Sequence, residues 1–395
     1  MKLLILSLSN SHEDPRPFRL AKYANKLGLE VLVLNCSENS KIENSKLRFI
    51  GLNQNPIGKK FKLVRIYKYL NYQVMKYLKL LTYLLLPKIS GPIYCKTLVP
   101  KHYREYINKV ISEYEEVVVM DLAILPFALQ RKSQNSRILY EAREYYEGQK
   151  SMYFGWSQIY SKLIFSLEKK YIRKVDQVTT VSEGISNLLY CKHSLIVKPL
   201  VIYGVPEIQK EFMFPKNKNM ELLFHGHVVR DRNIHAIIPA LLKLKDFELI
   251  IRGIVDSNYL QEITRIAKSL DVIERIKIVP AVKYENLFEA TSKSKYGLLP
   301  WENMHNQKKF AMPNKFFEYL VSNVPVCAVA GSELSNLVEK YGLGIVYNGE
   351  SDDLANRIIC TSEGEYSGIV NNIMEFNKKF DYLSQMSKYD EFLMV

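Results

Sequence analysis

Along the first fifty residues, apolar positions fall into short unbroken runs separated by longer stretches in which they recur every three or four residues. Leu3-Leu4-Ile5-Leu6 and Val31-Leu32-Val33-Leu34 are such runs, with the length and make-up of strands buried on both faces of a parallel sheet. Between them, residues 15–27 have helical periodicity. Asp14 is placed to cap that helix, Pro15 suits its first turn, and Gly28 stops it. The chain therefore opens with a βαβ unit, and apolar runs at 117–120, 137–140 and 178–181 extend it, Ser182 capping the helix that follows.

A second series starts near Glu221. Its strands are predicted at 222–224, 248–251, 276–279, 297–299 and 326–329, each separated from the next by a helix-length segment. Two successive series predict an α/β fold of two Rossmann-like, doubly wound domains. The stretch KPLVIYGVP, residues 198–206, interrupts the periodicity with Pro and Gly and marks the join. The expected division is 1–200, 201–362 and a helical tail, 363–395, packing back on the first domain. In open sheets of this kind ligands bind beyond the carboxyl ends of the strands, which is where the turn SHEDPRPFR, residues 11–19, must lie.

Length agrees with this reading, since 395 residues exceed one ordinary core and suit two domains. Five cysteines without CxxC spacing predict neither a disulfide framework nor structural zinc. The start MKLLILSLSNSHEDP turns polar without a small-residue cleavage site, and no apolar run approaches a bilayer span, so a cytoplasmic protein is expected. Seven histidines form no HExxH, and GxSxG, GxxxxGK[ST] and GxGxxG are absent. No metal is predicted.

The most informative stretch is AMPNKFFEYL, residues 311–320, followed by Val324-Pro325-Val326. Pro313 pre-sets the first turn of a helix whose free amides, with Lys315, suit an anion. Glu318, one turn on, offers two acceptor oxygens, as a ribose diol requires. Alone, the same residues would also make an ordinary capped helix. The stretch resembles the PNK-x-x-E-Y signature of GT-B glycosyltransferases, in particular the retaining enzymes of glycosyltransferase family four. DPRPFRLAKYANKLGLEV, ILYEAREYY and LLFHGHVVRDRNI resemble further segments of that family, in family order over residues 14–326.

The resemblance implies two domains facing a cleft that holds a nucleotide-sugar, most naturally a UDP-sugar, with no other cofactor. It places Glu318 on the donor ribose, and Asn314 and Lys315 near the diphosphate. Arg232, following Gly226, falls at the family's cationic position, where charge develops on the leaving group; Arg230 is the alternative. Arg143, with Glu144 next to it, falls at the family's histidine position, which normally faces the sugar, and these two with Arg232 and Lys315 are the expected catalytic residues. His12, Asp14 and Arg16 line the substrate side.

Two departures stand out. The first glutamate of the family's usual pair is replaced by Phe310, and its histidine by Arg143. An arginine fork there suits the carboxylate of an acidic sugar, or an internal salt bridge to Glu141, Glu144 or Glu147; both readings stay open. The opening turn, residues 7–14, also lacks glycines, which leaves His12 and Arg16 to make contacts through side chains.

Charge singles out one more segment. The net charge is +14, yet residues 56–110 hold twelve Lys or Arg against Glu105 alone. Within residues 62–85, apolar positions fall on one helical stripe of about 120°, with Arg65, Lys68, Lys76 and Lys79 opposite. Such a helix suits an anionic membrane surface or a solvated domain face. No RNP, KH or zinc-finger pattern supports nucleic acid as a partner.

Together these features predict a retaining glycosyltransferase, peripheral on the inner face of the cell membrane, acting on a lipid-linked saccharide or glycan in bacterial surface polysaccharide or glycolipid synthesis. A GT-B nucleotide-sugar 2-epimerase and a catalytically silent sugar-nucleotide-binding subunit are the alternatives.

Overall fold

The computed structural model describes residues 1–9, 14–52, 87–149, 157–208, 212–215, 217–301 and 306–393. The chain divides into two compact units, Met1–Ile202 with Lys388–Val395, and Tyr203–Ser387.

The first unit is built on an eight-stranded sheet ordered β3-β4-β2-β1-β5-β6-β7-β8. Its strands are β1 (Lys2–Leu6), β2 (Glu30–Asn35), β3 (Lys41–Asn44), β4 (Leu47–Gly51), β5 (Glu116–Val119), β6 (Arg137–Ala142), β7 (Gln177–Thr180) and β8 (Leu200–Val201). All pairings are parallel except β3 with β4 at the edge. Leu3, Leu4, Ile5 and Leu6 are wholly buried, as a central parallel strand covered on both faces requires. The helix Pro15–Lys26 begins as its sequence predicts, with the Asp14 carboxylate accepting from the Arg16 amide.

The second unit is a six-stranded parallel sheet in the order β11-β10-β9-β12-β13-β14. The strands are β9 (Asn219–Val228), β10 (Glu248–Val255), β11 (Ile276–Val279), β12 (Ser294–Leu299), β13 (Val326–Val329) and β14 (Gly344–Tyr347). Renumbered within the unit, the order is 3-2-1-4-5-6, whose direction of winding reverses between β9 and β12. Leu222, Phe224, Leu249, Ile251 and Leu298 form the core of this unit. The helix Glu363–Lys379 packs here too, through Tyr366, Ile373 and Phe376, whereas Tyr389 and Phe392 of the final segment are buried in the first unit.

Among the described residues no helix is long and apolar enough to cross a membrane. Arg65, Lys68, Lys76 and Lys79, with the amphipathic stretch that carries them, lie outside the described residues, as does His12.

Candidate functional site

In the second unit, polar side chains converge at the carboxyl end of β9, beside the point where the winding reverses. Gly226 has φ +108° and lies opposite Gly253 of β10, φ +141°. A Cβ on Gly253 would stand 2.0 Å from the Gly226 carbonyl oxygen, and one on Gly226 would stand 2.6 Å from Cε of Lys315. Glycine at 226 is thus what lets the Lys315 side chain cross the strand end.

Lys315 comes from the helix Asn314–Val321, which Pro313 caps, and its Nζ lies 4.4 Å from the centre of the Phe224 ring. Burial pushes its pKa down to about 7; the positive charge of Arg232 adds to this, and Glu318 opposes it. Arg232 closes a short turn, Arg230–Arg232, which Asn233 leaves in the left-handed conformation at φ 55°. Its guanidinium lies 5.5 Å from the Trp301 ring centre. Lys308 braces this turn, bonding to Asp231 Oδ1 at 2.7 Å.

Glu318 is buried, and its Oε2 is 3.5 Å from Nε2 of His225. Burial, with Lys315 and Arg252 nearby, pushes His225 down to about 3, so the ring is neutral at physiological pH. Its edge rests on Tyr319, ring centres 4.8 Å apart. Tyr319 in turn fits only because residue 297 is glycine: a Cβ there would stand 2.5 Å from the tyrosine ring.

Several buried polar atoms of this unit lack partners. Nε2 of His225, Nε of Arg232, Nη1 of Arg252, Nε1 of Trp301 and Oε1 of Gln307 are buried without a hydrogen-bond partner. Orphaned buried polar atoms are costly and rare. Oγ1 of Thr291 is a sixth such atom in this unit, and the first unit has such atoms of its own, so it is the grouping of the His225 and Arg232 nitrogens with Lys315 and Glu318, not the count, that suits a polar, anionic ligand.

The structure brings Gly226, Arg232, Lys315 and Glu318 together, with Pro313 and Asn314 at the helix start. Arg230 has a partner of its own: its side chain is two-thirds exposed and paired with Glu262. His225, Arg252 and Trp301 were missed. The first stands beside Gly226, and a buried histidine in a strand end was the available signal.

The first unit arranges its residues differently. Arg16 pairs with Glu141 and donates to the Ile202 carbonyl at 2.7 Å, while Tyr389 donates to the other Glu141 oxygen at 2.8 Å. Arg143 has an internal salt bridge, but not to Glu141, Glu144 or Glu147. It donates to Asp14 at 3.1 Å, Asp121 at 3.0 Å and the Met120 carbonyl at 3.0 Å. Burial works against its charge, and Asp121, Tyr146, Asp14 and Glu141 more than offset this, holding its pKa above the ordinary value. The fork that would read an acidic sugar is closed on these two acids. Glu144 is exposed and accepts from Gln149. Asp121 was also missed, although it directly follows the apolar run of β5 and also accepts from the Leu8 amide. Among the described residues no group of His, Cys, Asp or Glu is arranged to hold a metal ion.

Two such sheets, with the reversal of winding and the site at strand carboxyl ends, define the GT-B glycosyltransferase fold, and the chain has it over its full length. Residues 254–382 match the family model of the glucosyltransferase 3-like C-terminal domain. Among solved structures, sucrose-phosphate synthase (tll1590) from Thermosynechococcus elongatus superposes with a TM-score of 0.73 at 13% identity, covering 100% of this chain and 98% of that one. Anabaena Alr3699/HepE, in complex with UDP and glucose, gives 0.66 at 14% identity over 100% and 99%. A glycosyltransferase from Rickettsia africae gives 0.63 at 14% over 99% and 98%. No curated protein matches the sequence.

Proposed function

We propose that this chain is a retaining glycosyltransferase that moves a sugar from a nucleotide-sugar, a UDP-sugar first among them, to a lipid-linked saccharide or glycan acceptor. The observation that carries the reading is the pair of half-buried cations, Lys315 and Arg232, set among orphaned donors at the end of β9. Such a pair is unstable without an anion, and a diphosphate is the anion whose charge grows as a glycosidic bond breaks. UDP is favoured because a full-length structural neighbour binds it.

In this reading the acceptor hydroxyl attacks the anomeric carbon on the face the diphosphate leaves. The carbon–oxygen bond to phosphate breaks as the new one forms, and the departing phosphate oxygen takes the acceptor proton. Arg232 and Lys315 hold the charge that results. Glu318 takes the ribose hydroxyls, with the neutral ring of His225 beside its carboxylate. Asp14, Arg16 and Arg143 shape the acceptor side, Arg143 by positioning rather than by reading a carboxylate. Surface polysaccharide or glycolipid synthesis, with peripheral attachment to the inner face of the membrane, follows from the acceptor class and from the basic stretch of residues 56–110.

Thermal shift with UDP, GDP, CMP and ADP tests the donor. A ligand at 100 times its dissociation constant adds about 2.7 kcal/mol to the folded state. A shift with UDP, abolished in Glu318→Ala and Lys315→Ala, is the expected result. Equal shifts with all four in wild type and variants, or none, overturn the reading.

A further inference from the structure

The end of the first sheet opposite to Asp14, Arg16 and Arg143 carries a feature that sugar transfer does not use. The helix Glu183–His193 ends in Ser194, left-handed at φ 47°, and the chain then runs outward before returning as β8. On that excursion Ile196 is 97% exposed and Val197 76% exposed. Two adjacent branched apolar side chains held in water at a loop tip are an unfavourable arrangement unless something covers them.

The loop overhangs a hollow of about 680 Å³ at the amino ends of β6, β7 and β8, lined by Arg137, Arg173, Asp176, Lys198 and Glu391 among others. A smaller hollow of about 430 Å³ beside it is lined by Lys132, Lys170, Tyr171 and Lys174. The acids of this face are largely engaged: Asp176 accepts from Lys132 at 3.3 Å and from the Ile138 amide at 2.7 Å, and Glu183 holds Lys198 at 3.1 Å. Arg137 lies over Phe392, 4.9 Å from its ring centre. Lys170, Arg173 and Lys174 are exposed and have no acidic partner among the described residues.

We propose that this amino-end face docks on an anionic lipid bilayer, with Ile196 and Val197 entering the boundary of the acyl chains and Lys170, Arg173 and Lys174 meeting the headgroup phosphates. An apolar tip inside a collar of cations matches the layering of an anionic interface, apolar below and negatively charged above. In parallel α/β sheets substrates enter at the carboxyl ends, so this face can stay covered during turnover. The inference rests on the peripheral attachment in the reading above and adds to it a second contact surface, independent of residues 62–85 and of the donor.

The test uses the full chain and vesicles of phosphatidylcholine, with or without about 30% phosphatidylglycerol. Ile196→Trp reports directly: the emission of the introduced indole is expected to move to shorter wavelength on anionic vesicles and to be quenched by lipids brominated in the acyl chain. Ile196→Asp with Val197→Asp, and separately Lys170→Glu with Lys174→Glu, should each weaken flotation with anionic vesicles by about tenfold or more while leaving the melting temperature and the response to UDP unchanged. Lys68→Glu with Lys76→Glu tests the other segment in parallel. Unquenched emission from the Ile196→Trp variant, binding equal on neutral vesicles, or binding lost only through the Lys68 and Lys76 pair overturns the proposal. Quenching that survives while no nucleotide shifts the melting temperature leaves this face standing and removes the donor reading alone.

Discussion

Both units gather cations at the carboxyl ends of their central strands, and they treat them in opposite ways. In the first unit, Arg16 is answered by Glu141, and Arg143 by Asp14 and Asp121, acids of the same unit. In the second, Lys315 lies on the face of Phe224 with its charge half suppressed, Arg232 lies on Trp301, and Nη1 of Arg252 has no acceptor. Closed pairs belong to the architecture, whereas cations held against aromatic faces and left short of acceptors wait for an anion. On this contrast the donor phosphates are expected at the second unit, and the arginines of the first are assigned to position and stability in the proposed reading.

The largest expected effect tests the closed side. Arg143→Met leaves Asp14 and Asp121 facing each other without their shared cation, and removing one partner of a buried pair costs about 3–5 kcal/mol. Calorimetry should show the transition of the first unit falling well below wild type. An unchanged transition would mean that Arg143 is held loosely enough to turn toward substrate, and the contrast would fail.

Next is the open side. Lys315→Met should leave stability at pH 7 nearly unchanged, because it removes a cation whose burial was already unfavourable, and Arg232→Ala should do likewise, because its guanidinium is half-exposed and lies on Trp301. Transfer from the donor should nevertheless fall about 10²–10³-fold in kcat, as when a preorganised charge-stabilising group is removed. A variant that melts early and turns over normally would reverse the assignment.

How far the sequence carried this contrast differs between the sides. Strands buried on both faces were legible as runs, among them β1, β2, β5, β10, β12 and β13. Strand β3, KIEN, was not, because an edge strand exposed along its whole length carries no apolar signal. Gly226, Arg232, Lys315 and Glu318 were legible because the motifs around them are local in sequence. The partners of Arg143 were not: Asp14 lies 129 positions away, and only the closing of β1 against β5 and β6 brings them together. Sequence spacing had favoured the near glutamates, yet Glu141 points instead to Arg16 and Tyr389.

A smaller effect separates His225 from its surroundings. Its folded pKa of about 3 lies below the ordinary value for histidine, so as pH falls from 6.5 the unfolded chain takes up a proton that the folded one refuses. Stability is therefore lost across that window, by about 2–3 kcal/mol at pH 4.5. His225→Leu should flatten the loss between pH 6.5 and 4.5. A variant that loses the same amount at every pH would show a packing role alone.

The finest distinction concerns Lys315 and the pH dependence of UDP affinity. In the free protein its pKa is about 7, with Arg232 depressing it and Glu318 raising it. A diphosphate beside the amine stabilises the charged form, so above pH 7 binding must take up a proton. Affinity should then weaken by about tenfold, or about 1.4 kcal/mol, for each pH unit above 7 until the pKa of the complex is reached. Neutral His225 does not titrate in this window, and a terminal phosphate, with a second pKa near about 6, is already fully ionised there. Calorimetric titration between pH 7.5 and 9, in two buffers of different ionisation enthalpy, measures both the slope and the proton. Lys315→Arg provides the control, because a guanidinium stays charged throughout and should bind with a flat profile. A flat profile in the wild type would mean that Lys315 is not in contact with the phosphates, and Arg232 and the helix amides would be left to hold them.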